Sequence, residues 1–371
     1  MINVFEPSIS LKDKYTVFIN LLKNNISGTS PVVEDFEKKT AALFERKYAV
    51  AVSNGSVALD VALQLINLEK DDEVIVPSFT IVSCLNAILR TGAKPIFCDV
   101  NLETWNMELT HVEEKFSSKT KAVLMVHTYG LTAEAKEIKN FCNDKNIILI
   151  EDTAEAHGQQ EQGLKCGSFG DIATLSFYAN KHITTGEGGM VLLDSEKYFK
   201  KAKQMINLDF NTSDRFQHEN VFWNYRLSGL QAALGISQID SLSKTIRKKI
   251  SQGEYYSELL SQHKDILMLP LNENNGSKNH YWVYGVVIMN EIDRNLVTDK
   301  LFAKGIQTRP FFWPLHLQNC LPSEFTSEIG ICPNSEFIGS NGFYLPIGNH
   351  LKKKDQKFIV DSLISILHDN I

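Results

Sequence analysis

The chain has 371 residues, of which 43% are apolar and 22% charged, with a net charge of −6. That length suffices for a large domain and a smaller one, and the acidic balance excludes a general nucleic-acid binder while leaving room for local cationic sites. No apolar run reaches the roughly eighteen residues of a membrane span, and residues 1–12 lack the apolar core of a secretory segment. The six cysteines, Cys84, Cys98, Cys142, Cys166, Cys320 and Cys332, form no C-x-x-C pair and no closely spaced Cys/His cluster. Several fall in apolar strand or helix patterns, so the expectation is a reducing, cytoplasmic protein with cysteines used as small core residues.

In chain order, residues 33–46 read as a helix, with Phe36, Ala41, Leu43 and Phe44 supplying its apolar positions. A strand over 48–52 turns through Ser53-Asn54-Gly55-Ser56 into a helix over 57–65. A strand over 73–76 stops at Pro77, followed by a helix over 80–90 and a strand over 95–100. Further strands are expected over 122–126, 147–150, 172–177 and 190–193, with a helix over 133–143. Apolar strands alternating with amphipathic helices predict an α/β domain with a mostly parallel central sheet. A long helical stretch begins at Gly229 and extends to about His263; a polar loop over 272–278 follows. A strand over 284–289, a helix over 294–304, an aromatic stretch over 311–313 and a helix over 354–367 complete the chain. The expected division is a large domain over 1–244 and a smaller α+β domain over 245–371.

In sheets of this kind ligands lie at the carboxyl ends of the strands, and Ser56, Asp152 and Lys181 all fall at or just after such ends. Lys181 sits in a turn after an apolar strand and before the glycine-rich return Gly186-Glu187-Gly188-Gly189. A lysine there with an acidic residue at a second strand end is what pyridoxal phosphate (PLP) chemistry requires. The amine forms a Schiff base with the cofactor aldehyde, and the carboxylate keeps the pyridine nitrogen protonated. Lys181 reads otherwise as a surface lysine, and Asp152 as a helix N-cap. Glu155 is placed to face the ring substituents; His157 reads equally as a packed histidine. The Ser53–Ser56 turn opens a helix whose free N–H groups suit a phosphate, with Gly55 allowing close approach and Ser176 adding a hydroxyl. Arg226 reads as a surface ion-pair residue, the stretch Arg309–His316 as a proline-bounded aromatic loop, and His280-Tyr281-Trp282 as strand packing.

Taken together these pieces resemble the DegT/StrS-like sugar-nucleotide aminotransferases, which are fold-type I PLP enzymes with an aspartate aminotransferase-like fold. The resemblance covers nearly the whole chain. It rests on Val52–Ser56, Asp72–Ser78, Gly92–Phe97, Val126–Gly130, Glu151–Gly158, Gly167–Asp171, the Lys181 run and Asn224–Leu227. Within the family, Asn180-Lys181 followed by Ile183–Met190, and Arg309-Pro310-Phe311-Phe312 followed by Pro314 and His316, are similar to the GDP-perosamine synthases. The resemblance implies amination of GDP-4-keto-6-deoxymannose at C4 with L-glutamate as donor. It implies Lys181 as the cofactor lysine and proton carrier, Asp152 on the pyridine nitrogen, and Gly55, Ser56 and Ser176 on the phosphate. It also implies that Asn224 reaches the cofactor of a neighbouring subunit, so that a homodimer shares its active sites. His316 and Phe311, with Arg309 and Arg226, are expected on the sugar-nucleotide side.

Three departures stand out. Ile81 occupies the position where many relatives stack an aromatic ring on the cofactor, which implies apolar contact without stacking. Thr153 stands where a smaller residue is usual, and the segment Leu208–Glu219 differs from perosamine synthases. The other readings are amination of a UDP- or TDP-linked keto sugar, a PLP-dependent sugar 3-dehydratase with histidine replacing the lysine, and a non-catalytic regulatory protein on the same fold. A nicotinamide dehydrogenase would need G-x-G-x-x-G between the first strand and helix, which the chain lacks.

Overall fold

The computed structural model describes residues 1–210, 214–325 and 330–369; residues 211–213 of the divergent segment lie outside them. The central sheet has seven strands: β1 (Tyr48–Val52), β2 (Glu73–Pro77), β3 (Lys94–Cys98), β4 (Thr120–Val126), β5 (Ile148–Asp152), β6 (Ile172–Ser176) and β7 (Gly189–Leu193). Their spatial order is β1-β7-β6-β5-β4-β2-β3. β7 runs antiparallel to both neighbours, and every other adjacent pair is parallel.

Alternation of side chains along the strands builds two cores, one on each face. Val74, Val76, Ala122 and Leu124 pack on one face with Leu63 and Leu85. Ile75, Val123 and Met125 pack on the other with Ile138 and Cys142. Helices cover both faces, which is why the strands read as continuous apolar runs. Local signals fix the helix ends: Asn54 Oδ1 accepts from Val57 N at 2.9 Å to start the helix Gly55–Leu65. The helix Val82–Thr91 stops at Gly92, whose φ is 84°.

A second, antiparallel sheet is built from Leu267–Met268, Tyr284–Ile288, Gly342–Leu345 and Arg309–Pro310, in that spatial order. Its own core draws Tyr256 and Leu260 from the helix Leu242–Leu260, Val297 and Leu301 from Arg294–Ala303, and Leu363 and Leu367 from Lys353–His368. The N-terminus crosses to this core: Ile2 N donates to Gly305 O at 2.7 Å and Ile347 N to Val4 O at 3.2 Å. An aromatic seam joins the two sheets, with Phe79, Trp105 and Tyr129 packed on Trp282 and Phe311.

The single long helix expected after Gly229 is two helices, Gly229–Ile239 and Leu242–Leu260. They divide at Asp240-Ser241, residues that disfavour helix interiors, and Asp240 is held by Lys12 at 2.6 Å. The expected loop over 272–278 contains a small hairpin, Glu273–Asn274 paired with Ser277–Lys278. Helices Leu11–Leu22, Leu109–Lys115, Glu196–Met205 and Pro333–Asn341 add to those expected. Among the described residues no helix is long and apolar enough to cross a membrane.

Candidate active site

A cleft of about 570 Å³ opens at the carboxyl ends of the parallel strands. β5 delivers Asp152, β6 delivers Ser176, and the turn after β1 delivers Gly55 and Ser56, all of them on the cleft wall. No helix starts at Asp152; its Oδ1 instead caps a turn by accepting from Ala154 N at 3.0 Å. That turn brings Glu155 back towards the cleft.

The loop between β6 and β7 carries Lys181. Its ends are tied by Phe177 N donating to Gly188 O at 2.8 Å and Thr185 N to Phe177 O at 2.9 Å. Gly186 takes a φ of 82° in the return, a conformation that favours glycine. Within this loop Lys181 turns inwards: its side chain is 8% exposed and its Nζ lies 3.7 Å from Glu155 Oε1. The Trp282 ring, from the second sheet's side, lies 3.7 Å from the same nitrogen.

Burial sets the charges here. It pushes the Lys181 amine down, against the pull of Glu155 and Asp152. It pushes Glu155 up to about 7, although Lys181 opposes this. Asp152 is also raised by burial, and its Oδ2 accepts from the Cys84 thiol at 3.7 Å. A carboxyl so placed at the floor of a cleft suits a cationic ring nitrogen. Glu155 Oε2 accepts from Tyr129 N at 2.9 Å, which fixes its carboxylate beside Lys181.

The other end of the cleft suits a phosphate. A methyl added to Gly55 would stand 2.7 Å from Ser176 Cβ and 3.1 Å from its Oγ, so only glycine leaves this corner open. Ser56 Oγ and Ser83 Oγ lie 2.6 Å apart beside the first turn of the helix Gly55–Leu65. Asn180 Oδ1, on the same cleft, is buried without a hydrogen-bond partner. A carboxylate suited to a cationic ring nitrogen, a hydroxyl-lined helix N-terminus and a buried lysine on one cleft fit PLP.

The remaining expected residues separate into two groups. Ile81 lines the cleft, 40% exposed, as an apolar side chain at the start of the helix Val82–Thr91. His316 does not line it. It is buried in a relay, with Nδ1 2.6 Å from Ser78 Oγ and Nε2 3.1 Å from Glu336 Oε1. Phe311 is buried in the aromatic seam, and its neighbour Phe312 lines the cleft. Arg309 is exposed, opposite Tyr344 in the second sheet, and Tyr344 lines the cleft. Arg226 bonds Asn207 through Nη1 and packs on Gly28, away from the cleft lining. Asn224 is exposed on the surface beside Trp223, off this chain's cleft.

Sequence reasoning missed three walls of the cleft. Trp282 and Tyr344 come from the second sheet and its approach, and Ser83 from the helix after β2. Nothing local to those residues marks them; only the packing of one sheet on the other does. The sequence also hides a buried cluster, His127–Glu151–Cys166, whose potential ligand atoms lie within 4.8 Å of one another. Hydrogen bonds account for it: His127 Nδ1 accepts from Ala133 N at 3.1 Å, which leaves Nε2 to donate to Glu151 at 2.9 Å. Glu151 Oε2 further accepts from Phe169 and Gly170 N–H groups at 2.9 and 2.8 Å. His157 is a packed histidine, its Nδ1 accepting from Ile183 N at 3.3 Å. All six cysteines are free thiols.

Comparison with known proteins agrees with this geometry. Residues 10–364 match the DegT/DnrJ/EryC1/StrS aminotransferase family. A GDP-perosamine synthase of Escherichia coli O157:H7 is 33% identical over 368 residues, covering 99% of both chains. One of Vibrio cholerae is 34% identical over 349 residues, covering 93% of this chain and 94% of that protein. The crystal structure of the aminotransferase TlmJ from Streptoalloteichus hindustanus superimposes with a TM-score of 0.92 at 28% identity, covering 100% of this chain and 99% of that one. The chain therefore belongs to the DegT/DnrJ/EryC1/StrS aminotransferase family and is a PLP-dependent sugar aminotransferase.

Proposed function

We propose that the protein transfers the amino group of L-glutamate to C4 of GDP-4-keto-6-deoxymannose, giving the 4-amino sugar. The observation that carries the reading is the near full-length similarity to two GDP-perosamine synthases, with Lys181 buried on the cleft floor between Asp152 and Glu155. When bound, PLP supplies an electron sink for the carbon attached to the transferred nitrogen.

The chain's own residues do the rest. Asp152 would hold a proton on the ring nitrogen by its charge. Gly55, Ser56 and Ser176 would hold the phosphate through backbone N–H and hydroxyl donors. With PLP bound, the Lys181 amine, whose neutral form burial favours, would take a proton from the amino-donor carbon and, in the reverse half, give one to the sugar carbon that receives the nitrogen. Trp282, Phe312 and Tyr344 wall off water from that amine. Asn224 lies on an exposed surface with Val221 and Trp223, 92% and 58% exposed, which supports its reaching the cofactor phosphate of a second copy in a homodimer. Arg309, exposed and opposite Tyr344 of the cleft lining, is the cation that the reading assigns to the sugar nucleotide.

The dehydratase reading requires a histidine in place of the lysine. His182 points elsewhere: its Nε2 lies 3.2 Å from His280 O, and it does not line the cleft. The test is incubation with PLP, L-glutamate and separate GDP-, UDP- and TDP-4-keto-6-deoxy sugars, read by product mass. Amination of the GDP-mannose-derived sugar supports the proposal. Preferential amination of another sugar replaces the substrate, and water loss without amination overturns the reading.

A further inference from the structure

Lys181 also lines a second, smaller cavity of about 40 Å³, and the other amine on that cavity is Lys249. Lys249 projects from the helix Leu242–Leu260 and is 8% exposed. Its Nζ donates to the backbone oxygen of Trp282 at 2.7 Å. No carboxylate among the described residues forms an ion pair with it. That is an unusual state for a lysine, because burying an ammonium without a counter-ion costs several kcal/mol. Lysines so placed give up their proton readily, and burial, followed by Lys181, pushes this amine down to about 7.

Two features tie Lys249 to the reacting amine. The Trp282 carbonyl that it binds belongs to the residue whose ring lies 3.7 Å from Lys181 Nζ. The two amines also share one small cavity, walled by Asn180, Thr184 and Gln238. In so little solvent, a proton on either amine disfavours a proton on the other.

We propose that Lys249 is a positioning residue for Lys181: through its bond to the Trp282 carbonyl it anchors the Trp282 ring against the reacting amine. The inference rests on the reading of Lys181 as the cofactor lysine. Other ionisable groups surround the pair. Asp152, Glu155 and His157 come from β5 and the turn after it. Tyr178, His182 and Glu187 come from the Lys181 loop, Glu6 from the N-terminal segment, and His280 and Tyr344 from the second sheet's side. Asp152 and Glu155 favour the charged form of Lys181, and burial opposes them.

The test is covalent capture of Lys181 by PLP and borohydride as a function of pH, quantified by peptide mass. Lys249→Gln keeps a donor for the Trp282 oxygen and removes the charge; Lys249→Met removes both. Lys249→Met, which releases the Trp282 carbonyl, should slow capture about tenfold at neutral pH, while Lys249→Gln, which keeps the anchor, should stay within about threefold of the wild type. Capture of Lys181 in folded Lys249→Met at the wild-type rate would overturn the inference, even if that variant melts earlier. Wild-type protein that is not captured at Lys181 would overturn the cofactor reading, and this inference with it. If Lys249→Met does not fold, Trp282→Leu, which removes the anchored ring, decides the question in the same way.

Discussion

Gly55 and Ser176 come from different strand ends and lie so close that a Cβ on Gly55 would stand 2.7 Å from Ser176 Cβ. The corner between them is bounded by the first turn of the helix Gly55–Leu65. Gly55→Ala should therefore push Ser176 out of place and fill the corner. Overpacking of this kind costs about 1–3 kcal/mol, so PLP should bind at least about tenfold more weakly. Spectrophotometric titration of the apoprotein measures this; unchanged affinity would place the phosphate elsewhere.

Asp152 is the carboxylate whose burial calls for a cationic partner. Asp152→Asn preserves shape and removes the charge, so the ring nitrogen loses its proton and the electron sink weakens. Turnover should fall on the order of a hundredfold or more, with the melting temperature nearly unchanged. Near-normal turnover in the variant would remove Asp152 from that role.

The relay Ser78–His316–Glu336 separates two accounts of His316. If the relay is what His316 serves, His316→Leu leaves the Ser78 hydroxyl and the Glu336 carboxylate without their ring partner. Stability should drop by about 1–3 kcal/mol, seen as a lower denaturant midpoint. A raised KM for the sugar nucleotide with unchanged stability would instead return His316 to the substrate side, as the family resemblance implies.

His157 gives the protein an acid-sensitive centre. Burial, aided by Lys181, holds it down to about 3 from an ordinary 6.5. Its contribution to stability is present above pH 6.5 and is lost as pH falls from there towards 3. His280, lowered to about 4 by burial, acts in the same direction. The melting temperature should thus fall on acidification, and His157→Phe should flatten that fall while lowering stability at neutral pH, since Ile183 N loses its acceptor. An equal slope in both proteins would show that His157 does not carry the effect.

The strand ends were legible because each central strand is a short apolar run closed by a turn residue, and a parallel sheet collects its ligands at one edge. Lys181, Asp152 and Ser56 were read that way. The second half of the cleft was not, because Trp282 and Tyr344 reach it only through the packing of the antiparallel sheet on the central one. His316 was expected on the substrate side only from the family resemblance, and only tertiary structure shows Ser78 and Glu336 enclosing it. The helix Leu11–Leu22 had a readable start, the Ser10–Asp13 capping box. Its apolar residues Leu11, Tyr15, Phe18 and Leu22 recur at helical spacing yet stay exposed in the single chain. Glu196–Met205 buries only Ala202 and Met205, too few for a clear pattern.

The most direct test of the central claim follows nitrogen. With PLP, GDP-4-keto-6-deoxymannose and [15N]glutamate, the wild-type protein should yield a 4-amino sugar carrying the label, while folded Lys181→Ala should yield none. Label transfer by Lys181→Ala at the wild-type rate, or an unlabelled, dehydrated sugar from the wild type, would contradict the account.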